Sequence, residues 1–194
     1  MMDSNAPYIF GIGVAKTGSH SLAAALTDLG FSAYHTGREK YHNNEGIWQR
    51  LIDNDKKKQN PIQGISGVDA IVDHPVWTLF EQLDQHVENA KFVMTYRPPS
   101  DCALSWCRMI LHHHETAEKM MQSKWKEKPY ERFLEQAIKH IDSVFTHFHA
   151  RPDDLLVLDM RDDDKTKWRL LANFLNVDPP ENKDFPNVFN HKKW

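Results

Sequence analysis

The sequence lacks the features that define several classes of protein. Its 194 residues include only two cysteines, Cys102 and Cys107, which are too few for a disulfide framework. No run approaches the roughly 20 apolar residues of a membrane span, and the net charge of −3 excludes a globally basic nucleic-acid binder. Residues 1–7 have neither the basic nor the apolar region of a signal peptide. We therefore expect a cytoplasmic protein with reduced thiols and with no membrane or nucleic-acid partner.

The residues that are present suffice for a folded core. Hydrophobic residues make up 40% of the chain and aromatic residues 11%, so we expect a single domain over residues 1–194. Short apolar runs alternate with segments whose apolar residues recur at helical spacing, and this alternation predicts an α/β fold in which helices flank a mainly parallel central sheet in three layers. The predicted strands are residues 8–13, 31–35, 68–72, 90–96 and 155–158, and the predicted helices include residues 22–29, 48–52, 76–86, 130–149 and a last helix after residues 162–164.

A loop of small residues joins the first predicted strand to the first predicted helix, at residues 11–22 (GIGVAKTGSHSL). Ligands of parallel sheets bind at the carboxyl ends of the strands, which is where this loop lies. Its backbone can direct N–H groups inward at a helix N-terminus, Lys16 adds a full positive charge, and Thr17, Ser19 and Ser21 add hydroxyl donors. The loop therefore fits an anion with several oxygens. An ordinary strand-to-helix turn with capping hydroxyls is the alternative.

Two familiar phosphate motifs come close to this loop and do not match it. The dinucleotide fingerprint G-x-G-x-x-G requires glycine where Lys16 stands. The Walker A motif requires Lys-[ST] where Ser19 and His20 stand. The lysine lies instead inside the loop, before Gly18.

With its lysine in this place, the segment of residues 13–22 resembles the 5′-phosphosulfate loop of the sulfotransferase superfamily, whose pattern is roughly G-x-x-K-[ST]-G-[ST]-[ST]-[SW]-L. His20 stands where that family usually has threonine or serine. The resemblance implies a single sulfotransferase-like domain with a P-loop NTPase-like fold, and 3′-phosphoadenosine 5′-phosphosulfate as the sulfuryl donor. The donor-binding positions that it implies in the loop are Gly13, Lys16, Thr17, Gly18, Ser19, His20 and Ser21.

A second segment, residues 90–106, resembles the same family. Arg97 is followed by Pro99 and, eight residues after the arginine, by Ser105, and with this spacing the family binds the 3′-phosphate of the donor. Arginine is well suited to bidentate phosphate binding, and eight residues are about two helical turns, so the serine can lie beside the strand end. Without the loop, the simpler interpretation of this segment would be an arginine exposed to solvent and a serine that packs against neighbouring residues.

The resemblance implies an in-line displacement at sulfur that releases adenosine 3′,5′-bisphosphate and requires no metal, with Lys16 at the bridging or leaving oxygen. A hydroxyl acceptor also needs a general base. Asp73, His74 and His35 each follow a predicted strand, and Asp73 is the first choice because residues 73–75 resemble a D-x-P motif of the family. Histidine titrates in the useful range without help. The alternative to a catalytic role is that Asp73 only caps the following helix and that His35 is only a buried structural residue.

The acceptor is not identified by the sequence, and a hydroxyl or amine of a carbohydrate, a lipid, a phenol or a small metabolite is compatible with it. Residues 112–115 (HHHE) do not form a metal site in our interpretation, because consecutive helical side chains point about 100° apart. His140 and His147 share one side of a predicted helix and are candidates for an acceptor cleft, with a solvated or packing role as the default. Large apolar residues after the second segment have the same two interpretations, acceptor pocket or core: Trp106, Met109, Met120, Met121 and Trp125.

Two other functions stay open. A P-loop nucleotide kinase or phosphotransferase would need Mg²⁺ and normally the Lys-[ST] pair that this loop lacks. A non-catalytic member of the fold would bind an adenosine bisphosphate without turnover. The oligomeric state is not set by the sequence.

Overall fold

The computed structural model describes residues 8–37, 46–112 and 128–188. Five strands form one sheet in the order β2-β3-β1-β4-β5, and every neighbouring pair is parallel. The α/β fold with a parallel central sheet that the sequence predicts is confirmed. The strands are β1 (Ile9–Gly11), β2 (Ala33–His35), β3 (Ala70–Val72), β4 (Lys91–Tyr96) and β5 (Leu155–Asp159). The helices are α1 (Ser19–Asp28), α2 (Ile47–Lys56), α3 (Phe80–His86), α4 (Pro99–His112), α5 (Pro129–Phe148) and α6 (Asp164–Leu175).

Alternation along the strands supplies an apolar surface to both faces of the sheet, because successive strand side chains point to opposite sides. On one face, Phe10 and Phe92 pack in a buried cluster with Leu83 of α3 and Phe148 of α5. On the other face, strand residues pack against α1 and α6, through Ile9, Val93, Leu22, Leu26, Trp168 and Leu171. The two clusters give the fold its three layers.

The predicted helix over residues 76–86 is divided into a 3₁₀ turn, Val76–Thr78, and α3. The Thr78 hydroxyl donates to the carbonyl oxygen of Pro75 at 2.7 Å, and Leu79 N donates to Val76 O at 3.0 Å. Bonds over three residues tighten the chain into a 3₁₀ turn, and a threonine that bonds to its own backbone competes with regular α-helix. The interruption leaves Trp77 at the carboxyl edge of the sheet.

The order of the strands creates a crevice between β1 and β4. After β1 the chain proceeds to β2 at one edge of the sheet, and after β4 it proceeds to β5 at the other edge. Neighbouring parallel strands whose connections leave in opposite directions open a crevice at their carboxyl ends. The loop after β1 and the turn at Arg97 after β4 therefore border the same crevice.

Helix α5 runs antiparallel to the strands and spans the sheet from its carboxyl edge to its amino edge. His140 donates from Nε2 to Ile12 O at 2.7 Å, just beyond the end of β1. Two turns later, Phe148 packs on Phe92 near the start of β4, with ring centroids 4.9 Å apart. The first turns of α5 therefore lie on the same edge as the crevice. None of the helices in the described part of the chain is both long and apolar enough to cross a membrane.

A charged cluster joins α3 to the last turn of α5. The Asp84 carboxylate accepts hydrogen bonds from His147 Nε2 at 2.7 Å and from both terminal nitrogens of Arg151 at 2.5 and 3.0 Å. Burial by itself would raise the pKa of Asp84, but the hydrogen bonds from Arg151 and His147 outweigh it and hold that pKa below its ordinary value. The cluster thus favours the ionised carboxylate in the folded state.

Replacing Leu83 by alanine tests the packing of α3 on the sheet. Leu83 is 0% exposed, and removing a fully buried leucine side chain leaves a cavity, so we expect the free energy of unfolding to fall by about 2–5 kcal/mol. The matched change Leu104→Ala removes a side chain that is 46% exposed and should change that free energy by less than about 0.5 kcal/mol. Urea denaturation measures both, and equal effects would contradict the burial of Leu83.

The Asp84 cluster predicts a pH-dependent contribution to stability. A carboxyl group whose folded pKa is lowered stabilises the fold at pH values above its unfolded pKa, here the ordinary 3.8, and this contribution is lost as the pH falls through the folded pKa. We therefore expect Asp84→Asn to destabilise the protein at neutral pH, and the difference from wild type to shrink below pH 3.8. Urea midpoints across this pH range, with the exposed Asp142→Asn as control, measure it. A difference that persists at the lowest pH would contradict the ionic origin.

Candidate functional site

The loop after β1 starts at a close contact between β1 and β4. Thr17 Oγ1 and Thr95 Oγ1 lie 2.7 Å apart, and Thr17 Oγ1 also donates to Val14 O at 2.7 Å. A Cβ atom on Gly13 would overlap the Thr95 hydroxyl and would lie 2.6 Å from Thr17 Oγ1. Only glycine therefore leaves room for this threonine pair. The Thr17 side chain faces inward in this structure, where it holds the shape of the loop.

The loop ends at the N-terminus of α1. Gly18 precedes the helix with φ of 112°, a backbone conformation that side chains other than glycine rarely adopt. Ser19 and Ser21 follow in the first helical turn and are largely buried. Gly18 is the N-cap residue and has no side chain that could cap this end. The N–H groups of a first helical turn have no partner within the helix and favour a nearby anion.

Lys16 extends from the loop across the crevice. Its Nζ lies 3.8 Å from Met109 Sδ on α4, and its carbonyl oxygen accepts a hydrogen bond from Arg97 at 3.2 Å. Burial lowers the pKa of Lys16, an effect that nearby Arg97 reinforces and that Asp73 opposes. Lys16 also has φ of 72°, and such strained residues are concentrated at functional sites.

Arg97 and Ser105 lie on the other side of the crevice. Arg97 is half-buried directly after β4, and α4 begins two residues later at Pro99. Ser105 is half-buried one helical turn before Met109, the residue that Lys16 contacts. The face of α4 that carries Ser105 therefore borders the crevice together with Lys16 and Arg97.

Asp73 and His74 follow β3 directly and differ in their surroundings. Burial raises the pKa of the Asp73 carboxyl, while the His74 N–H and the charge of Lys16 act in the opposite direction. Asp73 has φ of 82°, a second strained residue in the site. His74 is exposed at its edge, but the rings of Trp48 and Trp77 lie beside it at 6.4 and 6.0 Å, and this partial burial lowers its pKa.

His35 lies at the end of β2 and connects the loop to Asp73. Its Nε2 is 3.0 Å from Ser19 Oγ and 3.5 Å from Asp73 Oδ2. The His20 ring stacks on the His35 ring with centroids 3.6 Å apart. His35 is only 5% exposed. Three other predicted site residues, Ser19, His20 and Asp73, thus meet at the buried imidazole of His35.

A cavity of about 550 Å³ lies between Trp77 and the first turns of α5. The described residues that line it are Trp77, Arg132, Glu135, Gln136, Lys139, His140 and Ser143. His140 is largely buried against the Trp77 and Phe80 rings, and this burial lowers its pKa. His140 thus has the packing role that is the default interpretation, and it also borders this cavity. His147 belongs instead to the Asp84 cluster.

The sequence does not single out three residues that shape the site. Thr95 holds the loop through Thr17, and its signal in the sequence is a hydroxyl residue that follows the apolar run Phe92–Met94. Met160 packs within about 3 Å of where a Cβ on Gly18 would lie. Cys102 Sγ lies 4.0 Å from Lys16 O and 3.8 Å from Arg97 O, and burial raises the pKa of this thiol to about 11.

Several sequence predictions fall on residues whose side chains are not described. They concern residues 112–115, Met120, Met121 and Trp125, which lie outside the described side chains. Trp106 is described and stacks on Phe133 with ring centroids 5.0 Å apart, so it packs against the core. Within residues 8–37, 46–112 and 128–188, no cluster of three or more histidine, cysteine, aspartate or glutamate side chains could hold a metal ion.

Comparison with solved structures gives two similar folds. The crystal structure of a sulfotransferase from Alicyclobacillus acidocaldarius matches with a TM-score of 0.56 and 16% identity, over 93% of this chain and 86% of that one. The sulfotransferase domain of the Synechococcus PCC 7002 olefin synthase matches with a TM-score of 0.51 and 16% identity, over 92% of this chain and 77% of that one. At this identity, both likenesses concern the fold alone.

Sequence comparison is more specific. A search of the curated proteins found no significant match. The family model described as sulfotransferase domain matches residues 8–147 and, in a second alignment, residues 102–194. The first alignment contains the loop of Lys16, the Asp73 segment and the Arg97 strand end, which are the elements that meet at the crevice. Because the matches cover most of the chain, the protein belongs to the sulfotransferase-domain family.

Proposed function

We propose that this sulfotransferase transfers a sulfuryl group from 3′-phosphoadenosine 5′-phosphosulfate to a hydroxyl or amine of a small acceptor. The observation that carries the proposal is the hydrogen bond from Arg97 to the carbonyl oxygen of Lys16, at 3.2 Å. It brings the guanidinium of Arg97 to the loop that carries Lys16, so the two proposed phosphate-binding elements border one crevice, as a donor with phosphates on both the 3′ and 5′ positions requires.

The loop fits the 5′-phosphosulfate end of such a donor. In the proposal, Lys16 neutralises charge at the bridging oxygen, and the N–H groups at the start of α1 hold the 5′-phosphate together with Ser19, His20 and Ser21. Gly13, Thr17 and Gly18 contribute through the shape of the loop, since Thr17 uses its hydroxyl proton on Val14 O. These groups supply positive charge without requiring a metal.

Arg97 and Ser105 fit the 3′-phosphate. A guanidinium can bind two phosphate oxygens at once, and Ser105 offers a hydroxyl from the adjoining face of α4. Arg97 also keeps its bond to Lys16 O, so the two phosphate sites stay at a fixed distance from each other. A fixed distance favours a ligand that carries both phosphates.

The reaction is a displacement at sulfur. The acceptor oxygen forms a new bond to sulfur, the bond from sulfur to the oxygen of the 5′-phosphate breaks, and the acceptor proton passes to a base. We assign the base to Asp73, because burial raises its pKa toward the useful range and Lys16 lies close enough to act on its charge. His74 is the alternative base, since its lowered pKa leaves a neutral imidazole available as acceptor.

The cavity beside α5 is the proposed entrance for the acceptor. Trp77 forms one wall of the cavity and contacts His74, which adjoins the proposed base. The opposite wall presents charged and amide side chains from Arg132, Glu135, Gln136 and Lys139. Such a lining favours a polar, hydroxylated acceptor such as a carbohydrate over a purely apolar one.

We further propose that residues 1–194 act as one sulfotransferase-like domain, because strands from both ends of the described chain share one sheet. Cys102 and Cys107 are both free, which supports a reducing, cytoplasmic environment.

Arg97→Ala tests the donor assignment. Removing a charged, hydrogen-bonding partner is expected to weaken binding of adenosine 3′,5′-bisphosphate by about 2–4 kcal/mol, with a much smaller effect on AMP, which lacks the 3′-phosphate. Calorimetric titration without metal measures both ligands, and Arg169→Ala, an exposed arginine on α6, is the control. Equal losses for both ligands would contradict the assignment. A wild-type preference for ATP that requires Mg²⁺ would favour the nucleotide-kinase alternative.

Asp73→Asn separates catalysis from binding. Loss of a general base is expected to lower turnover by about 100-fold or more, while the affinity for adenosine 3′,5′-bisphosphate stays within about 3-fold because the phosphate ligands remain. Turnover is measured as release of the bisphosphate in the presence of an acceptor found by screening. Unchanged turnover would transfer the role to His74, and a wild type that binds the bisphosphate but turns over no acceptor would favour the non-catalytic alternative.

A further inference from the structure

The contacts of His35 Nε2 with Ser19 and Asp73 favour one position for the imidazole proton. An ionised carboxylate has only lone pairs, so an imidazole nitrogen 3.5 Å from Asp73 Oδ2 is favoured there when it carries a proton. The same Nε2–H lies 3.0 Å from Ser19 Oγ, which is hydrogen-bonding distance. Ser19 therefore accepts from His35, and the charge of Asp73 stabilises the donor.

This arrangement has a consequence for the Ser19 hydroxyl. A serine has one proton to donate, and a hydroxyl whose oxygen already accepts a hydrogen bond directs that proton away from the donor. Ser19 begins α1, at the end of the phosphate loop. Its proton is thus available to an oxygen of a phosphate held by the loop.

The surroundings of His35 hold the imidazole in this orientation. The His20 ring covers one of its faces at a centroid distance of 3.6 Å. A Cβ atom on Gly37 would lie 2.7 Å from Asp73 Oδ2 and 3.0 Å from His35 Cε1. The missing side chain at Gly37 is what allows the carboxylate and the imidazole to approach each other.

We propose that His35 is a positioning residue for sulfuryl transfer: its Nε2–H donates to Ser19 and orients the Ser19 hydroxyl toward the 5′-phosphate, while the nearby Asp73 carboxylate favours the proton on Nε2. His35 then acts through Ser19 and does not take the acceptor proton itself. The role toward phosphate rests on the proposed function, whereas the proton position does not.

The proton position is tested without any ligand. Long-range ¹H–¹⁵N NMR spectra of the histidine-labelled protein distinguish the two neutral tautomers, and the signals of His35 are assigned by their loss in His35→Gln. We expect the tautomer with the proton on Nε2. A proton on Nδ1 alone would overturn the proposal, whatever group the enzyme transfers.

The effect on phosphate binding is tested by a double-mutant cycle. His35→Leu removes the N–H at similar volume, and His35→Gln keeps an N–H near the same place. We expect His35→Leu to weaken adenosine 3′,5′-bisphosphate binding by about 10-fold and adenosine 3′-monophosphate binding by less than about 2-fold. Ser19→Ala should have the same effect. The double variant should bind no more weakly than either single variant, because both substitutions remove the same interaction.

Two further variants serve as controls. His35→Gln should recover most of the affinity, and His86→Gln, at an exposed position of α3, should leave the affinity unchanged.

The outcomes separate this inference from the proposed function. If the wild type shows no preference for the bisphosphate over AMP, the proposed function fails, and the NMR result alone then decides the inference. If the wild type shows the preference but the effects of His35→Leu and Ser19→Ala add, the two side chains act independently and the positioning role is overturned. The positioning role would also be overturned if His35→Leu lost equal affinity for adenosine 3′-monophosphate and for the bisphosphate.

Discussion

The packing of β1 against β4 at Gly13 sets the position of the groups around the crevice. Because Gly13 has no side chain, the Thr95 hydroxyl of β4 reaches Thr17 in the loop. That contact fixes the loop to the sheet, and the carbonyl oxygen of Lys16 then lies where Arg97 can donate to it. The two proposed phosphate ligands are therefore placed by the rigid interior of the sheet, and their separation does not depend on exposed loops.

The site contains backbone strain at two charged residues. Lys16 and Asp73 both have positive φ without being glycine, and such conformations cost about 1–3 kcal/mol each. They persist because the parallel sheet and the buried contacts around them determine the chain path. As a result, Lys16 after β1 and Asp73 after β3 both border the same crevice. Burial there lowers the pKa of Lys16 and raises that of Asp73.

The sequence predicts the fold, and it singles out two segments that the structure places at one crevice, because these features depend on local patterns. The alternating core residues of β1 and β4, the shifted Lys16 and the spacing from Arg97 to Ser105 are all readable within about twenty residues. The meeting of His35, Ser19 and Asp73 was not predictable in this way. It depends on β2 lying beside β3, and on the empty space at Gly37, which are properties of the strand order and packing. The inward turn of Thr17 depends likewise on Thr95, which is distant in sequence.

The buried Cys102 thiol beneath Lys16 has a consequence for the chemical durability of the site. With a pKa of about 11, only about one thiol in ten thousand is ionised at pH 7, and the thiolate is the species that oxidants and alkylating reagents attack. The sulfur contacts the carbonyl oxygens of Lys16 and Arg97, so a bulky adduct there would displace both. By keeping this sulfur protonated and covered, the fold disfavours attack at Cys102 by the reagents that inactivate enzymes with exposed, acidic thiols.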